Sequence, residues 1–411
     1  MVYTAGRPHR RGVISLDKDY LYYLDALQGR LLPCAYVDLD RFDRNVQDIA
    51  ARAHGRRICV ASKSVRSVAL LKRIFHAGSP YHSIMAFSLR EAVYLTQNGL
   101  DQILVAYPVW REVEHSGIFE ALRGGKTITL MIDCLEHVEY LQHLAERANV
   151  TVPVCIDLDL STDFPGIHFG VRRSGITTPQ QAVSLFNVMR ELPNVRLDGL
   201  MGYEAQIAGL PDTAPWNRPK NTLIKILKRR SLREIRARRS AVVEALRDAG
   251  AELRFVNGGG TGSVESTIEE ELVTETTVGS GFYCPVQFDW YTGFRHLPAA
   301  GFAIEITRQP TEHIYTCHGG GYIASGPAGP EKLPQPYLPT GAKLLPLEGA
   351  GEVQTPIEYK GPVKLSLGDP VFMRHYKAGE LCERFKTLLL ISKGAVVDEV
   401  LTYRGDGQCF L

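Results

Sequence analysis

Short apolar runs alternate with amphipathic helical segments from about Cys34 to Tyr283, and this alternation limits the possible fold more than any other feature. In the helical segments the apolar residues recur at spacings near three and four, which is typical of helices packed on one face. Repeated strand–helix units of this kind predict a parallel sheet. Their number favours a (β/α)8 TIM-type barrel over an open sheet, although periodicity alone does not choose between the two.

The predicted elements follow from these runs. The apolar runs predict strands at Ala35–Leu39, Ile58–Ser62, Ile103–Ala106, Thr127–Ile132, Val152–Leu158, Leu197–Gly202 and Leu253–Val256. The segments between them predict helices at Arg41–His54, Ser67–His76, Ser88–Asn98, Leu135–Ala148, Pro179–Leu192 and Ser231–Ala249.

The pattern changes after about residue 290, where helical periodicity ends and Pro and Gly separate short strand-like runs. Such spacing of strands and turns predicts an all-β module. We therefore expect two domains, an α/β barrel over 30–290 and a C-terminal β domain over 291–411. Residues 1–29 are expected to join the β domain.

Charge and cysteine content exclude several classes of protein. The 47 Lys and Arg residues against 45 Asp and Glu residues give a net charge of +2, which argues against a general nucleic-acid binder. The basic segment 225–239 is interpreted as the solvated outer face of a barrel helix. No apolar run is long enough to span a bilayer. The eight cysteines form no C-x-x-C pair, and their wide spacing predicts reduced thiols in a cytoplasmic protein.

Lys63 is the first candidate for chemistry because it directly follows the strand-like run Ile58–Ser62 and precedes a helical segment. In a barrel this position lies at the C-terminal mouth, where catalytic groups gather. A desolvated amine there can be shifted toward the neutral, nucleophilic form that makes a Schiff base. Position alone favours an ordinary solvated lysine.

A glycine-rich run after a strand-like segment is the second candidate: Asn257-Gly258-Gly259-Gly260-Thr261-Gly262. Successive glycines let backbone N–H groups converge on an anion. The run lacks the residues of a P-loop and the register of a dinucleotide-binding turn. A phosphate site is favoured over a plain strand–helix turn. The turn from Gly279 to Tyr283 could add Ser280 and Tyr283 hydroxyls to the same anion.

The segment Arg374–Arg384 places many ionisable groups behind a strand-like run. His375 and Cys382 are possible metal ligands, but the cationic Arg374, Lys377 and Arg384 make this a poor place for a metal ion. A wall of an active site without metal is the favoured interpretation, and a salt-bridged turn is the alternative.

Several strings, in order along the chain, resemble the fold-type III pyridoxal-phosphate (PLP) enzymes, and within them the branch of D-threonine aldolase and D-serine dehydratase. They are AYVDLDRFDRNVQDIA, VASKS with Lys63, MAFSLREAVYLTQNGLDQILVAYP, GVRRSGI with Arg173, LDGLMGYEAQ with Tyr203, and the glycine run. The similarity covers most of residues 30–290. Alanine racemase shares the architecture and matches these strings less well.

The resemblance implies a PLP-bound barrel with a C-terminal β domain, commonly in a homodimer. It implies that Lys63 forms the Schiff base, that the glycine run holds the phosphate with Ser280 and Tyr283, and that Arg173 or Tyr203 contacts the ring. The implied activity is that of a lyase, of the aldolase or dehydratase type, acting on a D- or β-hydroxy amino acid.

Two departures from the family pattern matter. The Tyr-Glu-Gly-His run of the family is Tyr203-Glu204-Ala205-Gln206 here, so a histidine is missing. The metal-binding pair of that branch is replaced by His375-Tyr376-Lys377. Our hypothesis is that the Lys377 ammonium takes the place of the metal, with His375 as a proton carrier. No metal ligand is therefore predicted, and activity should survive chelation.

Three other functions stay open from the sequence. An amino-acid racemase on the same fold would need a second base on the opposite face of the cofactor. A non-catalytic PLP-binding protein is disfavoured by the extra β module. A barrel that binds sugars or phosphates without PLP predicts that Lys63 is dispensable for binding.

Overall fold

The computed structural model describes residues 17–411 of the chain. Contacts divide these residues into two units. We call residues 39–299, 377–387 and 400–411 the barrel unit, and residues 17–38, 300–376 and 388–399 the sheet unit. The domain limits predicted at 30–290 and 291–411 stay predictions, because a division by contacts does not test which segments fold on their own.

The α-helices, in chain order, are α1 (Lys18–Ala26), α2 (Leu39–Arg52), α3 (Val68–His76), α4 (Leu89–Gln97), α5 (Ser116–Arg123), α6 (Leu135–Ala148), α7 (Pro179–Arg190), α8 (Ala205–Ala208), α9 (Arg218–Asp248) and α10 (Val264–Ile268).

The strands are β1 (Cys34–Asp38), β2 (Arg57–Ala61), β3 (Tyr81–Ala86), β4 (Ile103–Val105), β5 (Ile128–Ile132), β6 (Val152–Asp157), β7 (Thr162–Phe164), β8 (Ile167–Phe169), β9 (Val195–Gly202), β10 (Phe255–Gly258), β11 (Glu275–Val278), β12 (Ala300–Thr311), β13 (Ile314–His318), β14 (Gln335–Leu338), β15 (Lys343–Leu344), β16 (Gln354–Glu358), β17 (Pro370–Arg374), β18 (Thr387–Ser392) and β19 (Ala395–Leu401).

Eight parallel strands close the barrel in the order β10-β11-β2-β3-β4-β5-β6-β9, so the predicted (β/α)8 barrel is confirmed. Its interior is filled by side chains that include Met131, Met201 and Phe255. A Cβ at Gly199 would lie 2.4 Å from the Phe255 ring, so the missing side chain on β9 makes room for that ring. The inside of the barrel is thus a packed core. In barrels of this kind, functional residues lie at the C-terminal ends of the strands.

Local sequence accounts for several helix starts. Thr178 forms a capping box with Gln181 and is followed by Pro179, the first residue of α7. The Ser88 hydroxyl accepts the Glu91 N–H at the start of α4. The helix predicted at Ser231–Ala249 instead begins at Arg218. Leu223, Ile224, Ile226 and Leu227 do have helical spacing there, but only Leu227 of these is buried, and the prediction did not include this part of the helix.

The sheet unit contains a nine-stranded, mostly antiparallel sheet, which confirms the predicted β domain. The predicted strand Ala35–Leu39 forms as β1, but it lies in this sheet and not in the barrel. It pairs antiparallel with β12 and parallel with β18. These long-range partners decide its place, and local spacing carries no information about them. Within residues 17–411, every helix is too short or too polar to cross a membrane.

Candidate active site

A cavity of about 560 Å³ opens within the barrel unit at the C-terminal ends of its strands. Parallel strands bring all their carboxyl ends to one face of a barrel, so residues far apart in sequence meet there. The lining residues that bear on the chemistry are Lys63, Ser64, Tyr107, Asp133, Asp157, Arg173, Tyr203, Gly259, Gly260, Thr261, Gly279, Ser280 and Lys377.

Lys63 lies in a short 3-10 helix, Ser62–Ser64, directly after β2. Its Nζ donates a hydrogen bond to Tyr107 Oη at 2.8 Å. The Lys63 carbonyl accepts the Arg66 Nε–H at 2.8 Å, and Arg66 has a left-handed φ of 50°. The side chain of Arg66 therefore fixes the backbone of the lysine while the amine points into the cavity.

Tyr107 follows β4 in the run ILVAYP, and sequence analysis did not single it out. Burial alone would raise the pKa of its phenol, but the Lys63 ammonium, its hydrogen bond and Arg173 together hold that pKa below the ordinary value. The signal that would have found Tyr107 is the one that found Lys63, a polar side chain directly after a barrel strand.

The glycine run brings bare backbone to the cavity. Gly259, Gly260 and Thr261 line it, whereas Gly258 and Gly262 do not. A Cβ at Gly260 would lie 2.7 Å from the Ala208 Cβ, and one at Gly259 would lie 2.4 Å from Thr276 Oγ1. Gly259 also has a φ of 86°, which side chains disfavour. Side chains at these two positions would therefore displace their neighbours.

Glu204 holds the loop from behind, a role that the sequence did not reveal. Its carboxylate accepts the Gly259 N–H at 3.1 Å and the Ser263 hydroxyl at 3.2 Å. Arg239, from α9, donates to the same carboxylate at 2.8 Å and also pairs with Glu270. The loop is thus fixed by a buried ionic network and not by the glycines alone.

Hydroxyl groups lie beside the loop. Ser64 Oγ and Ser280 Oγ are 3.2 Å apart, and both residues line the cavity. Thr261 Oγ1 accepts the Gly281 N–H at 3.1 Å, which joins the two glycine turns. Tyr283 does not line the cavity: its buried hydroxyl donates to the Val65 carbonyl at 2.7 Å. Of the two predicted hydroxyls, Ser280 is therefore the one that faces the cavity.

Arg173 and Tyr203 are neighbours, as the guanidinium carbon lies 5.7 Å from the centre of the tyrosine ring. Burial raises the pKa of Tyr203 to about 12, so this phenol keeps its proton at neutral pH. Asp157 ends β6, and burial raises the pKa of its carboxyl to about 7, helped by Asp133 and opposed by Arg173. The cavity therefore offers fixed cations beside a carboxyl that titrates near neutrality.

The segment 375–377 is divided between the units. Lys377 belongs to the barrel unit and lines the cavity. His375 is buried in the sheet unit, directly after β17, and is not among the residues that line the cavity. The structure therefore brings Lys377 together with Lys63 but does not place His375 with them.

One group of side chains in residues 17–411 has the spacing of metal ligands: Asp133, Cys134 and His137, whose ligand atoms lie within 4.8 Å of one another. His137 Nδ1 lies 3.0 Å from the Asp133 carboxylate and 3.4 Å from the Asp133 backbone nitrogen. Cys134 is the N-cap residue of α6. Hydrogen bonds at the start of this helix account for the grouping.

Comparisons with known proteins place this chain in a family. A model of the alanine racemase N-terminal domain matches residues 37–285. The chain belongs to the alanine racemase N-terminal domain family. This member is 23% identical over 250 residues to a 3-hydroxy-D-aspartate aldolase of Paracoccus denitrificans and 21% identical over 257 residues to a D-threonine aldolase of Arthrobacter. Each match covers 60% of this chain, and the matches span 59% and 60% of the two relatives.

Solved structures resemble this chain over nearly its whole length. D-threonine aldolase from Filomicrobium marinum superposes with a TM-score of 0.77 at 19% identity, over 92% of this chain and 96% of that one. The D-threo-3-hydroxyaspartate dehydratase from Delftia gives a TM-score of 0.74 at 18% identity, over 92% and 99%. At these identities the likeness concerns the fold.

Proposed function

We propose that this protein is a PLP-dependent lyase that acts on a D- or β-hydroxy amino acid, with Lys63 as the lysine that bonds to the cofactor. The observation that carries the proposal is the pairing, in one cavity, of the Lys63 amine with the bare backbone of Gly259 and Gly260. An amine for an aldehyde and a cradle for a phosphate are what PLP requires of a protein.

The residues present fit this cofactor. Gly259, Gly260 and Thr261, with the hydroxyls of Ser64 and Ser280, would hold the phosphate, and Arg173 beside Tyr203 would lie near the ring. Gly258, Gly262 and Tyr283 would act on this site through their neighbours. The bound cofactor supplies a sink for the negative charge that forms on the substrate.

The substrate class rests on the relatives and on the charge of the cavity. The relatives named above include aldolases of 3-hydroxy-D-aspartate and D-threonine. Lys377 and Arg173 offer cations to a carboxylate or a hydroxyl of a small amino acid. We propose that Lys377 faces the substrate, and the role of His375 as a proton carrier stays a prediction.

Turnover assays distinguish the possible reactions. The PLP-loaded protein is incubated separately with D- and L-threonine, D- and L-serine and 3-hydroxyaspartate, with Lys63→Ala as the control. An aldolase releases both glycine and an aldehyde, a dehydratase releases a 2-oxo acid and ammonia, and a racemase inverts the α-carbon. We expect one of the first two products from a D-substrate. Inversion alone would favour the racemase, and no turnover with bound PLP would favour a non-catalytic carrier.

We also propose that the protein is a cytoplasmic homodimer, as the resemblance implies. Light scattering during size-exclusion chromatography tests the assembly directly. The 45.6 kDa chain should elute with twice its mass, and a monomer would contradict this part of the proposal.

A further inference from the structure

The Lys63 amine donates a hydrogen bond to a residue that the sequence analysis did not single out. Lys63 Nζ lies 2.8 Å from Tyr107 Oη and 5.4 Å from the centre of the tyrosine ring. Tyr107 lines the same cavity and packs against the barrel interior, so its phenol has little freedom to leave this position. The contact joins the ends of two strands, β2 and β4, that are not adjacent in the barrel.

We propose that Tyr107 is the proton acceptor that frees the Lys63 amine to attack an aldehyde, and the donor that returns the proton later. This inference rests on the proposed function, because it assigns Lys63 as the nucleophile. The step is a proton exchange: the ammonium of Lys63 gives one proton to the phenolate of Tyr107, which leaves a neutral amine and a neutral phenol.

The groups around Tyr107 make its phenolate available as the proton acceptor. Lys63 and Arg173 are cations that stabilise its phenolate, and Asp157 opposes them with negative charge. Burial raises the pKa of the Asp157 carboxyl to about 7, so below that pH the carboxyl is protonated and neutral. It then no longer raises the pKa of Tyr107 by its negative charge. Tyr203, the other phenol at the mouth, has its pKa raised to about 12 by burial, so it is unsuited to this role.

An amine needs such a partner at neutral pH. A free lysine has a pKa of about 10.4, so only a minor fraction is nucleophilic at any moment. A phenolate within hydrogen-bond distance takes the proton without a solvent water, and the ion pair and the neutral pair then interconvert in place. A purely structural hydrogen bond would orient the amine and would not link the titration of the two groups.

The first test is a pH titration in which the near-ultraviolet absorbance of ionised tyrosine is recorded. It measures whether the ionisation of Tyr107 depends on Lys63, and it needs no cofactor. The wild type should contain one phenol that ionises below the ordinary tyrosine pKa of about 10. Tyr107→Phe should lose this phase, and Lys63→Met should shift it upward because the stabilising cation is gone. The control is Tyr140→Phe, which removes a phenol that hydrogen-bonds the Trp110 carbonyl outside the cavity. It should leave the early phase in place.

A second measurement tests the consequence for the amine. Protein without cofactor is mixed with PLP, and the rate of adduct formation at Lys63 is measured from the change in visible absorbance at a series of pH values. We expect Tyr107→Phe to form the adduct about a hundredfold more slowly than the wild type at neutral pH, which is the lower end of the effect of general base catalysis. At alkaline pH the amine is already deprotonated, and the two rates of adduct formation should be equal.

The outcomes separate this inference from the proposed function. An early tyrosine phase that persists in Tyr107→Phe, or that does not move in Lys63→Met, would overturn the role of Tyr107. Equal adduct rates for Tyr107→Phe and wild type at neutral pH would overturn it as well. A wild type that shows the linked titration but forms no adduct with PLP would instead remove the proposed function.

Discussion

Asp157 is a carboxyl whose proton affinity changes on folding. Burial raises its pKa from 3.8 to about 7, with a further rise from Asp133 and an opposing effect of Arg173. The folded state therefore binds this proton more tightly than the unfolded chain does. The unfavourable contribution of Asp157 to stability grows as the pH rises from about 4 to about 7, and it is constant above that range.

Replacing Asp157 by Asn should remove this penalty. The unfolding free energy of Asp157→Asn minus that of the wild type should increase by roughly 1–3 kcal/mol as the pH is raised from 4.5 to 8. Urea unfolding of both proteins at the two pH values measures the difference. Other buried carboxyls such as Glu91 are present in both proteins and cancel. A difference that is the same at both pH values would contradict the assigned titration.

Lys377 provides a second prediction at the residue scale. Its position at the cavity leads us to expect that Lys377→Ala lowers kcat by roughly a hundredfold, because a cation that faces developing charge is lost. The PLP absorbance should be kept, since Lys63 and the glycine loop are unchanged. Lys72→Ala, on the exposed face of α3, is the matched control and should keep full activity. Activity that requires an added divalent metal and ignores Lys377 would contradict the hypothesis.

The residues of the cavity divide by how visible they are in the sequence. Lys63 and the glycine run could be found because each follows a strand-like run and has a distinctive chemistry. Glu204 and Tyr107 could not be ranked, since their roles depend on contacts with Gly259 and with Lys63 that cross the barrel mouth. A list of side chains after strands would contain both but would not say which of them meet.

At the scale of one element, α9 links the outside of the barrel to the glycine loop. The sequence predicted a solvated basic face for residues 225–239, and Arg229 is exposed as expected. Arg239 is different: it is 1% exposed and lies between Glu204 and Glu270. That part of the prediction is wrong, because a charge run does not reveal which arginine meets buried carboxylates.

The network of α9 should be important for stability. Arg239→Met leaves two carboxylates buried without their cation, and we expect it to cost about 3–5 kcal/mol of unfolding free energy. Arg229→Ala, ten residues earlier on the exposed face of the same helix, should stay within about 0.5 kcal/mol of wild type. Urea unfolding measures both. Equal stability of the two variants would show that Arg239 does not hold the carboxylates.

At the scale of the whole molecule, the chain leaves the barrel unit and returns to it. Residues 377–387 and 400–411 belong to the barrel unit although they follow the sheet strands. Tyr403 Oη donates to the buried carboxylate of Glu91 at 2.9 Å, and the Leu401 carbonyl accepts the Ser67 hydroxyl at 2.8 Å. The short strand-like runs after residue 290 indicated strands. They could not show that residues 400–411 pack in the barrel unit, because that packing depends on partners some 300 residues away in the chain.

Removal of residues 400–411 should therefore destabilise the barrel unit. Without Tyr403, the carboxyl of Glu91 is left buried with fewer donors, at a cost of about 1–3 kcal/mol, and the aromatic packing of Tyr403 on Tyr94 is lost as well. We expect the thermal midpoint to fall by roughly 2–6 °C. Tyr403→Phe, which keeps the ring, should show only part of this fall. An unchanged midpoint after the deletion would contradict the assignment of this segment.

The most direct test of the central claim is to locate the cofactor on the chain. The purified protein is incubated with PLP, reduced with borohydride and digested, and the pyridoxyl-bearing peptide is identified by mass spectrometry. We predict one adduct, on Lys63, together with loss of the visible absorbance on reduction. An adduct on another lysine, or a protein that gains no absorbance with PLP, would contradict the account.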